Sequence, residues 1–182
     1  VKQAVITVTG KDGPGIIADV TGILYASGSN LEDVSMTILE GELSMIMIVG
    51  VPGGKKTAEI KKKFEQYAGR TGMMIYWKDL SHKAAKGSKH AKGSRSYILS
   101  ASGKDRTGIV YEISRLFAGE KLNITDLNSR ILPSLGRDLY VLMLEVDLPR
   151  GFRAEKLQKK LAAAGKKIGM DIQFKPVERI EF

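Results

Sequence analysis

The chain has 182 residues, 43% of them apolar, and 29 Lys/Arg against 20 Asp/Glu for a net charge of +9. It contains no cysteine, which rules out disulfides, thiolate zinc sites and thiol catalysis and fits a cytosolic protein. No run approaches the roughly 20 apolar residues of a membrane span, and the opening VKQAVITVTG alternates like a strand instead of forming a signal peptide's apolar core, so a cytoplasmic protein with no membrane segment is expected.

The hydrophobic period then switches in a fixed order. Residues 3–9 alternate as a strand, with Ala4, Ile6 and Val8 on one face. The turn Gly10-Lys11-Asp12-Gly13-Pro14-Gly15 follows, with Pro14 suited to a first helical position. Within the predicted helix, Ile16, Val20, Ile23 and Leu24 fall at i, i+4, i+7 and i+8, one apolar stripe aimed at a sheet. Two strand-like runs, 31–39 and 43–51, flank Glu40-Gly41-Glu42, a hairpin signal. A second helix is predicted from about Lys55, with Ile60 and Phe64 in the core, and a last strand over 73–79.

Residues 80–95, LSHKAAKGSKHAKGSR, break the pattern. They hold five Lys/Arg and no acid, whereas residues 1–79 balance nine against nine and residues 96–182 carry fifteen against eleven. Lys83, Lys86, Lys89 and Lys92 recur every third residue among small polar neighbours, which predicts a hydrated, extended linker with weak attraction for acidic surfaces.

The first pattern returns ninety-three residues on. Tyr97, Leu99 and Ala101 repeat the first strand's face, and Ile109, Ile113, Leu116 and Phe117 repeat the helix stripe. Runs at 124–132 and 138–147 flank a turn four residues longer, Leu157 and Leu161 repeat the second helix, and 169–175 repeat the last strand. The order is βαββαβ twice, an α+β chain of two ferredoxin-like domains at 1–79 and 96–182, each a four-stranded antiparallel sheet with two helices on one face. The other face carries Val5, Thr7 and Thr9, then Ile98, Ser100 and Ser102. The third strand is apolar on both sides at Ile46 and Ile48, and at Val141 and Met143 until Glu145. Such a face predicts that the repeats pack together and that the chain forms a homodimer.

The candidate chemistry lies in the repeated turn. Free backbone N–H groups at a helix start, with the positive end of its dipole, can hold a carboxylate. Asp12 can balance an amino acid's ammonium, and Asn30 offers both donor and acceptor. Asp105 and Asn123 repeat this pair at the same eighteen-residue spacing. Singly, each residue is also what a helix start or end requires. As a repeated set, a site and the upkeep of the fold explain them equally well.

Asp12-Gly13-Pro14-Gly15, with Asn30 fifteen residues after that Gly at the start of the second strand, resembles the ACT domain, a module that senses amino acids beside many metabolic enzymes. The tandem arrangement, with NLED and NITD at the second strands, further resembles the glycine cleavage system transcriptional repressor family. Formyltetrahydrofolate deformylases carry a similar module with a catalytic domain appended. The resemblance implies a non-enzymatic regulator without a cofactor, binding a small amino acid such as glycine or serine where ACT units meet, with a partner regulatory protein. Carried over by position, the ligand contacts are Gly10, Asp12, Gly13, Pro14, Gly15 and Asn30, then Gly103, Asp105, Arg106, Thr107, Gly108 and Asn123. Arg106-Thr107 replaces Gly13-Pro14, a stiffer position, a freer one and an added charge, so the first site fits the pattern better.

Catalytic alternatives find little support. His82 and His90 lie in the linker, away from any partner a general base or metal pair needs. The run Gly53-Gly54-Lys55-Lys56-Thr57 misses the phosphate-loop pattern at Lys56. A βαββαβ order and a basic chain also suit an RNA-binding module, but the third strand offers only Tyr140 for base stacking, so nucleic-acid contact would be electrostatic, through the linker. A protein-binding dimer without ligand is the remaining alternative.

Overall fold

A computed structural model describes residues 2–81, 89–133 and 138–177. The chain divides into two compact units, Val1–Gly87 and Ser88–Phe182. The first runs β1 (Lys2–Lys11), α1 (Ile16–Ala26), β2 (Asn30–Leu39), β3 (Glu42–Val51), α2 (Lys55–Thr71) and β4 (Met74–Leu80). The second repeats it as β5 (Arg95–Lys104), α3 (Ile109–Gly119), β6 (Asn123–Leu132), β7 (Leu139–Leu148), α4 (Ala154–Ile168) and β8 (Met170–Pro176).

Each unit is an antiparallel four-stranded sheet, in the orders β2-β3-β1-β4 and β6-β7-β5-β8. The predicted stripes form the two cores. Ile6, Val8, Val20, Leu24, Ile60 and Phe64 meet Met45 and Met47 in the first, and Leu99, Ile113, Phe117, Leu157 and Leu161 meet Leu142 and Leu144 in the second. Burial alternates along β3 from Glu42 to Val49, with Leu43, Met45 and Met47 buried under the helices and Ile46 on the opposite face, 48% exposed. In the first unit, Glu40 and Gly41 both take positive φ, 50° and 80°, the backbone of a two-residue hairpin turn. The corresponding longer turn of the second unit falls largely on residues 134–137, outside the described residues.

Two sequence expectations need correction. Pro14 does not open α1. Gly15 does the capping, at φ 93°, and Pro14 precedes it in the pair Pro-Gly that a type II turn prefers. Gly108 caps α3 in the same way at φ 95°, with Thr107 in the place of Pro14. The second correction concerns the linker. His82 lies outside the described residues, but Lys89, His90 and Ala91 pack on the second sheet by ion pairs and hydrogen bonds instead of floating in solvent. A buried carboxylate on β7, Asp147, holds His90 and Ala91, and Asp126 and Glu145 hold Lys89.

Candidate functional site

The helix-start loop of the first unit is fixed by the hairpin beside it. The Asp12 amide donates to the Gly41 carbonyl at 2.8 Å. Next to the loop lies a cavity of about 530 Å³ lined by Asp12–Gly15, by Ile17 of α1 and by Met36 and Ile38 of β2. No side chain caps α1, so the amides of its first turn have no side-chain partner, and Ile17 and Ala18 of that turn line the cavity. The backbone there is polar and positive, the β2 wall apolar, and Asp12 exposed. That combination suits a small molecule with a carboxylate, an ammonium and a short side chain.

Asn30 is absent from this cavity. It starts β2, opposite Gly50 of β3, while the loop sits beyond the end of β2. The strand has ten residues, so at about 3.3 Å per residue the two lie roughly 30 Å apart. The same holds for Asn123, which starts β6 opposite Asp147, and the 105–108 loop, which follows β5 at the other end of its sheet. Within one unit, therefore, the structure groups Asp12, Gly13, Pro14 and Gly15 and leaves Asn30 apart.

Gly10 and Gly103 have a packing role. A Cβ on Gly103 would lie 2.6 Å from the Gly169 carbonyl oxygen, and one on Gly10 would lie 2.7 Å from the Met73 sulfur. Gly13 has open space around it and no positive φ, which explains how Arg106 occupies the matching position without altering the loop. The Arg106 side chain is exposed.

β2 presents a second feature. Val34, Met36 and Ile38 face the helix side of the sheet, opposite Met47, Met45 and Leu43, yet remain 47%, 43% and 49% exposed on this edge strand. An apolar, unprotected sheet edge is a pairing surface. β2 and its counterpart β6 each carry a bulge, at Glu32 and at Thr125, just after the Asn. The Gln3 side-chain amide donates to Glu32 at the first.

Sequence reading missed the polar cluster on the second sheet. Asp147, only 6% exposed, accepts from the Ala91 amide at 2.8 Å and lies 2.9 Å from His90 Nδ1. Burial pushes its carboxyl up, but the hydrogen bonds from Ala91 and His90 outweigh that and hold it below the usual carboxylate value. Its signal was present. Glu145 and Asp147 stand in an otherwise apolar strand, at positions where the first repeat has Ile48 and Gly50.

Against this geometry, the model of the ACT domain matches residues 2–78 and again residues 96–175. The chain belongs to the ACT domain family. ACT domains are regulatory modules that commonly bind amino acids and oligomerise, and this chain carries two. A UPF0237 protein of Methanopyrus kandleri is 38% identical over 69 residues, 35% of this chain and 77% of that protein. Another, from Clostridium perfringens, is 36% identical over 74 residues, 40% of this chain and 83% of its own length. Among solved structures, an unknown protein from Galdieria sulphuraria covers 97% of this chain and 99% of its own at TM-score 0.77 and 25% identity. A candidate glycine cleavage system transcriptional repressor superimposes over 98% of both chains at TM-score 0.69, and its 16% identity speaks for the tandem ACT fold alone. Among the described residues no three His, Asp or Glu side chains are grouped to hold a metal ion, and no helix is long and apolar enough to cross a membrane.

Proposed function

We propose that this tandem ACT protein is a non-enzymatic cytoplasmic regulator that binds a small amino acid, glycine or serine by family likeness, between the loop of one copy and the Asn of its partner copy. The reading rests on one observation, that the Asp12 loop and Asn30 lie at opposite ends of β2, an apolar edge strand of its sheet. Pairing two β2 edges antiparallel about a two-fold axis sets the start of each strand beside the end of the other. Asn30 of one copy then faces the Asp12–Gly15 loop of its partner. The loop amides take the carboxylate, Asp12 the ammonium, and Asn30 a remaining donor or acceptor. Gly13, Pro14 and Gly15 shape the loop. In the second unit Asp105, Arg106, Thr107, Gly108 and Asn123 repeat the arrangement, with the Arg106 guanidinium as a further carboxylate partner. Control of transcription in glycine and one-carbon metabolism, by contact with a partner protein, is the role that the likeness to the repressor suggests. The nucleic-acid alternative is weakened because Lys89, one of the linker's cations, is engaged by Glu145 and Asp126.

Thermal melting against a panel of amino acids tests the reading. Ligand at a hundredfold over its Kd stabilises by about 2.7 kcal/mol. Selective stabilisation whose first-unit share Asn30→Ala and Asp12→Asn each remove is the expected result. A flat panel at millimolar ligand overturns it.

A further inference from the structure

The open face of the second sheet carries a groove of about 460 Å³, floored by Ile98, Val141 and Met143 and rimmed by Asp126, Glu145 and Arg130. Two of those rim carboxylates hold the Lys89 ammonium, Glu145 at 3.0 Å and Asp126 at 3.2 Å. One residue on, His90 presents Nδ1 to Asp147 at 2.9 Å and Nε2 to Glu145 at 3.7 Å. The Ala91 amide donates to the second Asp147 oxygen at 2.8 Å, and the Ser96 hydroxyl lies 3.3 Å from the first and 3.2 Å from His90. The Ser94 amide and hydroxyl both donate to the Ala91 carbonyl and turn the chain into β5.

The two halves of this contact differ in character. Asp147 and Ser96 are 6% and 7% exposed, so the anchor is shielded from water and its hydrogen bonds are specific. Lys89 is 47% exposed, and its ion pairs compete with solvent and salt. A firm anchor beside a loose charge is what a strap needs if it is to sit in one place and still come away.

We propose that Lys89–Ala91 is a releasable strap that sets the charge at one end of the open-face groove. Seated, its ammonium neutralises Asp126 and Glu145, and the groove presents an apolar floor beside the Arg130 guanidinium. Released, the same floor lies under two uncompensated carboxylates. The groove therefore has two electrostatic states selected by the chain itself. The strap is held by Asp126, Glu145, Asp147 and Ser96, which are outside the set assigned to amino-acid binding, although Asp147 pairs across the strands with Asn123.

The test is amide exchange at Ala91 together with the Met143 methyl resonance in the full chain. Wild type is compared with Asp147→Asn, with the double variant Lys89→Gln/His90→Gln, and with Asp171→Asn as a charge control on the same sheet. Ala91 is expected to be protected in wild type and in the control. Both strap variants should lose at least about tenfold of that protection and shift the Met143 methyl. If Asp147→Asn fails to fold, the double variant, altered only on the strap, decides the matter. Wild-type Ala91 exchanging like an unstructured peptide overturns the proposal. So does protection retained in the strap variants, or lost while the Met143 methyl stays in place.

Discussion

The Asp12 amide is hydrogen-bonded to the Gly41 carbonyl at 2.8 Å, which ties the helix-start loop to the β2–β3 hairpin and thereby to the far end of the strand that Asn30 begins. One unit thus cannot wrap a small ligand with both residues. Chains carrying Asp12→Asn and chains carrying Asn30→Ala should each fail to bind through the first unit. An equimolar mixture, allowed to exchange subunits, should regain one working first-unit site per heterodimer. Calorimetric stoichiometry of the mixture reads this, and zero recovery would place the two residues in separate sites.

The edge of β2 should control association. Met36→Lys puts a charge in the middle of the exposed apolar strip on this edge strand. Sedimentation should show a shift toward the monomer with the fold retained, because the position is exposed and the core beneath is untouched. Unchanged sedimentation would locate self-association elsewhere, for instance on the open face at Ile46.

The strands, helices and core faces were legible because each follows one period. Alternation along β1 and β3 and the stripe of α1 recur as spacings in the sequence, and both repeats obey them. What the sequence concealed depends on contacts across long separations. Asp147 and His90 are 57 positions apart, so a histidine in a Lys-rich stretch gave no sign that a buried carboxylate would hold it. The separation of Asp12 from Asn30 was hidden for a different reason. Spacing along the chain shows that a helix lies between them, but the strand order and register place the start of β2 at the same end of the sheet as the start of β1, across β3 and remote from the loop. Gly10 and Gly103 illustrate a third case, in which a repeated glycine at a loop edge serves close packing against a neighbouring strand.

Gly103 provides a direct check of that packing role. Alanine there would press a methyl group to within 2.6 Å of the Gly169 carbonyl, a backbone atom that cannot swing aside. Overpacking of this kind costs about 1–3 kcal/mol, and in a unit of this size each kcal/mol lowers Tm by about 4–8 °C. Gly13→Ala, with nothing within 4 Å and no positive φ, should leave stability unchanged or slightly raised. Equal melting of the two variants would remove the distinction drawn between packing and loop glycines.

Acid should release the strap. In the folded chain Asp147 titrates below its ordinary value, because the Ala91 and His90 hydrogen bonds outweigh the upward push of burial. A carboxyl with a depressed folded pKa contributes stability that is fully present above its unfolded value, about 3.9, and is lost as pH falls through the folded one. Glu145 and Asp126 face the same strap through Lys89, and Ser96 reaches the same Asp147 oxygen. The protection factor at Ala91, corrected for intrinsic exchange, should therefore fall as pH drops below about 3.9. In the Asp147→Asn variant that acid step should be missing, with low protection at every pH. A strap that loosens in wild type between pH 8 and 5 would mean that a group other than Asp147 holds it.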